Sequence, residues 1–245
     1  MNISSNPVVV LAIAVSIAWV SEWKEVAAAE TNGKTTAQQE AQQEEHRMHN
    51  HHQHRHPFAD PAEMQKKWND PERDKWQQPN TIVKALALKP GDAVADIGAG
   101  TGYMVAPLSK AVGQDGTVVA IDSSPEMVKY LAERKAELGP ANIVPRKVDA
   151  NDPELDAASM DAVLTLDTWH HLDGREAYAK KVYDGLKQGG RFVVVDYAVD
   201  AEVGPPKAMR ITPDQVTKQL EEAGFEVKTI RESMPRHYIV VGTKN

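Results

Sequence analysis

Val94-Ala95-Asp96-Ile97-Gly98-Ala99-Gly100-Thr101-Gly102 opens as an apolar run and closes in three alternate glycines. The run predicts a buried strand, and Tyr103 to Val112, stopped by Gly113, predicts a helix. Strand, glycine turn and helix in that order make a ligand cradle. Glycine lets the backbone turn sharply and approach a ligand closely, and the first helical N–H groups point at negative charge. The dinucleotide fingerprint G-x-G-x-x-G does not fit, because the third glycine comes one residue early and Tyr103 stands in its place. Asp96, two positions before the first glycine, would repel a nucleotide phosphate and would hold an amino group.

Working outward, Asn80 to Leu88 reads as an amphipathic helix and Lys89-Pro90-Gly91-Asp92 as the turn into the first strand. Thr117 to Ile121 is a second strand ending in Asp122, a carboxylate placed to accept both hydroxyls of a ribose. Dinucleotide and other nucleoside sites share that feature. Pro125 to Leu138 is the next helix, stopped by Gly139-Pro140, and Asn142 to Val148 is a strand ending in Asp149-Ala150. Met160 to Leu166 is a fourth strand and runs into Asp167-Thr168-Trp169-His170-His171-Leu172. A helix over Gly174 to Lys187 then leads through the turn Leu186 to Arg191 into strand five, Phe192 to Asp196. After a loop over Asp200 to Arg210, Thr212-Pro213-Asp214 supplies an N-cap, a proline at N1 and a first-turn acid for a helix reaching Ala223. Strands over Phe225 to Ile230 and Tyr238 to Gly242 end the chain.

The spacing D-x-G-x-G-x-G resembles motif I of the class I S-adenosylmethionine (SAM) methyltransferases. The family's "LKPGG" turn is similar to Leu186-Lys187-Gln188-Gly189-Gly190, with Gln188 for proline, and an "HH-apolar" sequence follows its fourth strand as His170-His171-Leu172 does here. The resemblance runs from about Phe58 to the C-terminus. It implies an α/β, Rossmann-like fold whose seven-stranded, mostly parallel sheet has helices on both faces, an antiparallel C-terminal strand and the order 3-2-1-4-5-7-6. It implies SAM as cofactor, held by Asp96 (the ammonium), Gly98, Ala99, Gly100, Gly102, Asp122, Ser123, Met127 (under the adenine), Asp149, Ala150 and Asp167. Asp149 reads equally as a turn acid before Pro153. His170, His171 and Tyr197 fall nearest the acceptor and are the catalytic candidates, although a histidine here is also read as a packed, hydrogen-bonded residue. Arg210 and Arg236 are candidates for an anionic substrate or for plain ion pairs. Phe58 to Gln78 reads as two short helices opened by proline. This segment and the loop before Arg210 are expected to close the acceptor pocket. Trp68 and Trp76 read as hydrophobic anchors onto the domain, with packing over the ligand mouth the other reading.

The 245 residues carry 41% hydrophobic and 26% charged residues, enough for one full domain (58–245) plus an extension. A formal charge of −7 argues against nucleic acid as partner, since phosphate neutralisation needs a basic face. The absence of cysteine removes disulfides, thiolate zinc sites and cysteine nucleophiles. Val8 to Val20 is continuously apolar, shorter than the ~20 residues of a membrane span and suited to the core of a secretory signal. Ala27-Ala28-Ala29 offers a cleavage site, so residues 1–29 are expected to be a leader and the protein periplasmic or secreted. The first seven residues carry no Lys or Arg, and an uncleaved membrane anchor over 8–20 is the alternative. With the leader cleaved, no membrane span is expected. Residues 30–57 lack apolar periodicity and read as a disordered linker. This linker holds His46, His49, His51, His52, His54 and His56, six of the nine histidines. They are candidates for opportunistic binding of a divalent metal.

The expected activity is therefore methyl transfer from SAM to a small organic acceptor. An exported protein that keeps the fold for binding a SAM-like ligand or a metal is the alternative, and it answers to one tension: SAM is made in the cytosol. A nicotinamide-dependent oxidoreductase is disfavoured by the glycine spacing and the terminal strand pair.

Overall fold

Each of the seven runs read as strands forms one, in a single sheet ordered β3-β2-β1-β4-β5-β7-β6, as the resemblance implied. The computed structural model describes residues 60–230 and 234–245. The expected leader, the linker and its six histidines lie outside the described residues. The strands are β1 (Ala93–Ile97), β2 (Thr117–Asp122), β3 (Asn142–Lys147), β4 (Met160–Leu166), β5 (Leu186–Tyr197), β6 (Glu226–Ile230) and β7 (His237–Thr243). β1 to β5 are parallel, and β7 runs antiparallel to both β5 and β6.

The helices are α1 (Pro61–Trp68), α2 (Asp74–Gln77), α3 (Pro79–Leu86), α4 (Val105–Val112), α5 (Pro125–Arg134), α6 (Arg175–Gly185) and α7 (Pro213–Glu222). Side chains alternate across a strand, so each strand feeds two cores. Val94, Val118, Ala120, Leu164 and Val193 pack with α3, α4 and α5 on one face. Ala95, Val119, Ile121, Val163 and Phe192 pack with α6 and α7 on the other. This burial on both faces is why the strands read as continuous apolar runs rather than alternating ones. Local signals hold at the caps as well: Thr212 and Gln215 form a reciprocal capping box with Pro213 at N1 of α7.

Two boundaries differ from the sequence reading. The helix expected from Tyr103 starts at Val105, because residues 100–104 turn instead. Strand five begins at Leu186, inside the expected turn, because Leu186 pairs with Met160 across a register shift. Gly189 N–H and Gly190 C=O are also tied to Lys244. Among the described residues, no helix is long and apolar enough to cross a membrane.

Candidate active site

The strand order reverses between β1 and β4, and open α/β sheets take ligands at such a switch point, beyond the carboxyl ends of the strands. The glycine loop leaves β1 at this point and is stitched to β2, with the N–H groups of Gly98 and Ala99 both donating to Ile121 O (2.8 and 2.9 Å). Gly98 has φ +76°, and a Cβ there would lie 2.2 Å from Thr168 Oγ1, so a side chain is excluded both by conformation and by space.

Asp96 is 3% exposed at the centre of the sheet, between Ala120 and Leu164. Burial, followed by the neighbouring Asp122 charge, pushes its carboxyl up to about 7, against the opposing pull of Arg73. Asp122, 9% exposed, accepts N–H bonds from Gly100 and Ser124, both 2.9 Å. Burial raises its pKa, and the N–H groups of Ser124, Gly100 and Ser123 oppose the shift. A carboxylate offers about four lone-pair sites, so Asp122 keeps acceptor capacity for a hydroxyl donor beside these N–H groups. These two acids and the loop are what an amino-acid-bearing nucleoside requires: an anion for an ammonium, an acceptor for a ribose and glycines for close approach.

Met127 is fully buried on α5. Asp149 and Ala150 are exposed, and Asp149 Oδ1 accepts the Asn151 N–H at 2.8 Å, the behaviour of a turn acid.

On the acceptor side, Asp167 takes a left-handed backbone (φ 55°). Its Oδ2 accepts from Arg73 Nη2 at 3.0 Å, and its Oδ1 lies 2.7 Å from His237 Nε2. A carboxylate only accepts, so Nε2 of His237 carries a hydrogen; its Nδ1 is buried without a hydrogen-bond partner. His170 has the opposite arrangement. Its Nδ1 lies 2.8 Å from Asp196 Oδ1, which also accepts the Tyr197 N–H, and the His170 N–H donates to Asp196 Oδ2. Asp196 thus holds a hydrogen on Nδ1 of His170, so that Nε2 is the nitrogen left for an acceptor. His171 is exposed, with its ring 4.1 Å from that of His170. Tyr197 is half-buried, and burial followed by Asp167 pushes its hydroxyl up to about 12.

Arg210, Arg236 and the two tryptophans have defined contacts. Arg210 does not face an anion: its guanidinium donates to the carbonyls of Pro205, Ala198, Val199, Ala201 and Val203, and so organises the loop before it. Arg236 lies over the Trp76 ring at 4.4 Å. The two tryptophans do pack on the site: Trp68 meets Gly100, where a Cβ would sit 3.2 Å from the ring, and Trp76 stacks on His237.

Arg73, Asp196 and His237 had no assigned role in the sequence reading. Asp196 lies at the carboxyl end of strand five, as Asp122 does in β2 and Asp167 just past β4, and that rule would have found it. Arg73 and His237 carry no local signal.

Residues 94–190 match the family model described as a methyltransferase domain. A SAM-dependent methyltransferase from Aquifex aeolicus has a similar structure, with TM-score 0.69 and 29% identity, covering 76% of this chain and all of that one. The chain has the class I methyltransferase fold. Two curated relatives share parts of its length. A transposon protein of Streptomyces fradiae is 30% identical over 176 residues, 62% of this chain and 48% of the relative. The arsenite methyltransferase of Halobacterium salinarum is 26% identical over 155 residues, 59% of this chain and 40% of the relative. The chain therefore spans less than half the length of either relative. The matched segment of the methyltransferase fold contains the glycine loop, Asp122, Asp167 and His170, whereas Arg73, Asp196 and His237 lie outside it.

Proposed function

We propose that the chain is a SAM-dependent methyltransferase acting on a small organic acceptor. The observation that carries this reading is the buried Asp96 at the switch point, beside a glycine loop that excludes side chains. The family match and the Aquifex structure support SAM as the cofactor. When bound, SAM supplies a methyl group on a sulfonium, an excellent leaving group.

The chain's own residues then have separable tasks. Asp96 holds the ammonium, which restores its ionised form, and Asp122 accepts the ribose hydroxyls. His170, oriented by Asp196, takes the proton of a protonated acceptor on Nε2. Tyr197, with its hydroxyl up near 12, stays protonated at neutral pH and serves as a hydrogen-bond donor. The segment before α3 and the loop held by Arg210 exclude water. Parallel calorimetric titrations with SAM and NAD test the reading: SAM should bind and NAD should not, and the reverse would overturn it.

Export and metal binding remain part of the proposal. Intact mass from an extracytoplasmic fraction should show Glu30 as the mature N-terminus, and a full-length mass would contradict the leader. Removing residues 30–56 should abolish most zinc binding and leave SAM affinity unchanged.

A further inference from the structure

We infer that the strap Pro61–Gln77, comprising α1, a short turn and α2, is a gate that must lift before SAM reaches or leaves the cradle. The inference rests on the SAM reading above. Both ligand-binding carboxylates are almost sealed, with Asp96 at 3% and Asp122 at 9% exposure, and the Trp68 ring lies against the glycine loop at Gly100. The strap lies on the glycine loop itself, through Trp68 on Gly100, Asn69 on Thr101 and Asp74 on Tyr103.

Side chains hold the strap down along one line. Gln65 Oε1 accepts from the Tyr130 hydroxyl, and Asn69 Oδ1 accepts from Thr101 Oγ1 at 2.6 Å. Arg73 donates to Asp167, and Asp74 accepts from the Tyr103 hydroxyl at 2.7 Å. Arg73 is the deepest latch, its side chain 12% exposed. Its guanidinium lies 4.1 Å from the Tyr103 ring centroid and also donates to Gln77 and to Trp68 O. The charge it lays beside Asp167 and near Asp96 is one that a cationic ligand also supplies. At its C-terminal end the strap joins the body through Gln78, whose left-handed backbone (φ 50°) turns the chain into α3.

The Gln65 and Asn69 latches are each a single hydrogen bond, so loss of either shifts the closed-to-open ratio by about two- to tenfold. Because only the open form admits ligand, SAM association should rise by that factor, and dissociation with it. The test is stopped-flow binding of SAM and S-adenosylhomocysteine to the full chain, comparing wild type with Asn69→Ala and Gln65→Ala. Faster association and faster dissociation support the gate, and unchanged association overturns it. A second arm uses the absence of native cysteine. Asn69→Cys/Thr101→Cys joins the strap to the glycine loop with the only disulfide the chain can form. Oxidised, it should take up SAM at least a hundredfold more slowly than after reduction; equal rates overturn the proposal. If wild type and the reduced variant both fail to bind SAM, the cofactor reading itself fails. If both bind and neither latch nor disulfide changes the rate, only the gate fails.

Discussion

Replacing Asp96 with asparagine should make the free protein more stable at pH 8 and a poorer binder of SAM. Burial lifts the Asp96 carboxyl from 3.8 to about 7. A folded-state value above the unfolded one contributes stability that is fully present below about pH 4 and is lost as the pH rises through about 7. A rise of that size amounts to on the order of 4 kcal/mol against the ionised carboxylate. Asparagine cannot ionise, but its buried amide costs about 1–3 kcal/mol where it finds no partner. Asp96→Asn should therefore gain about 1–3 kcal/mol over wild type at pH 8 and lose that advantage by pH 5. Urea unfolding of both proteins at each pH from 5 to 8 measures it. Asp122 titrates in both proteins, so most of its effect drops out of the difference. A stability difference that stays flat across this range would refute the reasoning. The same linkage predicts that wild-type SAM affinity falls about tenfold between pH 8 and pH 6, as Asp96 protonates, and that the variant shows no such fall.

Gly98→Ala should lose at least about 1–3 kcal/mol of stability, because φ +76° is strained for alanine and its Cβ would overlap Thr168. Chemical denaturation checks this, and a loss below about 0.5 kcal/mol would contradict it. The ring nitrogens of His170 should show Nδ1–H and an unprotonated Nε2 by ¹⁵N NMR, and Asp196→Asn should release that preference. An Nε2–H form in wild type would remove His170 as a base.

Most of the architecture was legible because its signals are local. Glycines at alternate positions, acids after strands, and Thr-Pro-Asp ahead of a helix each act within a few residues, and the strand order came with the family resemblance. What escaped depends on contacts between segments distant in sequence. Arg73 and Asp167 are 94 positions apart, and His237 reaches Asp167 across 70. In sequence, Arg73 is one more charge in the polar stretch Asp70 to Lys75, and only the folded strap shows that its charge is partly buried against Asp167. Arg210 erred in the opposite sense. A lone arginine before a helix invites a ligand, but the carbonyls of an irregular loop are equally good acceptors, and they lie within ten or so residues of it. Strand five was read short because glycines were taken as a turn, whereas Lys244, the residue after β7, bonds to both of them.

Calorimetric titration of SAM and methylthioadenosine into wild type, Asp96→Asn and Asp122→Ala tests the central claim most directly. Methylthioadenosine lacks the amino acid part. A charge-assisted bond is worth about 1.5–3 kcal/mol, so Asp96→Asn should weaken SAM roughly ten- to hundredfold and barely change methylthioadenosine. Asp122→Ala should weaken both, provided circular dichroism shows that its loop, which loses the Gly100 and Ser124 acceptor, stays folded. Equal weakening of both ligands by Asp96→Asn would mean that the carboxylate shapes the loop and does not read the ammonium. SAM binding unchanged in both variants would reduce Val94 to Gly102 to a structural turn and contradict the account.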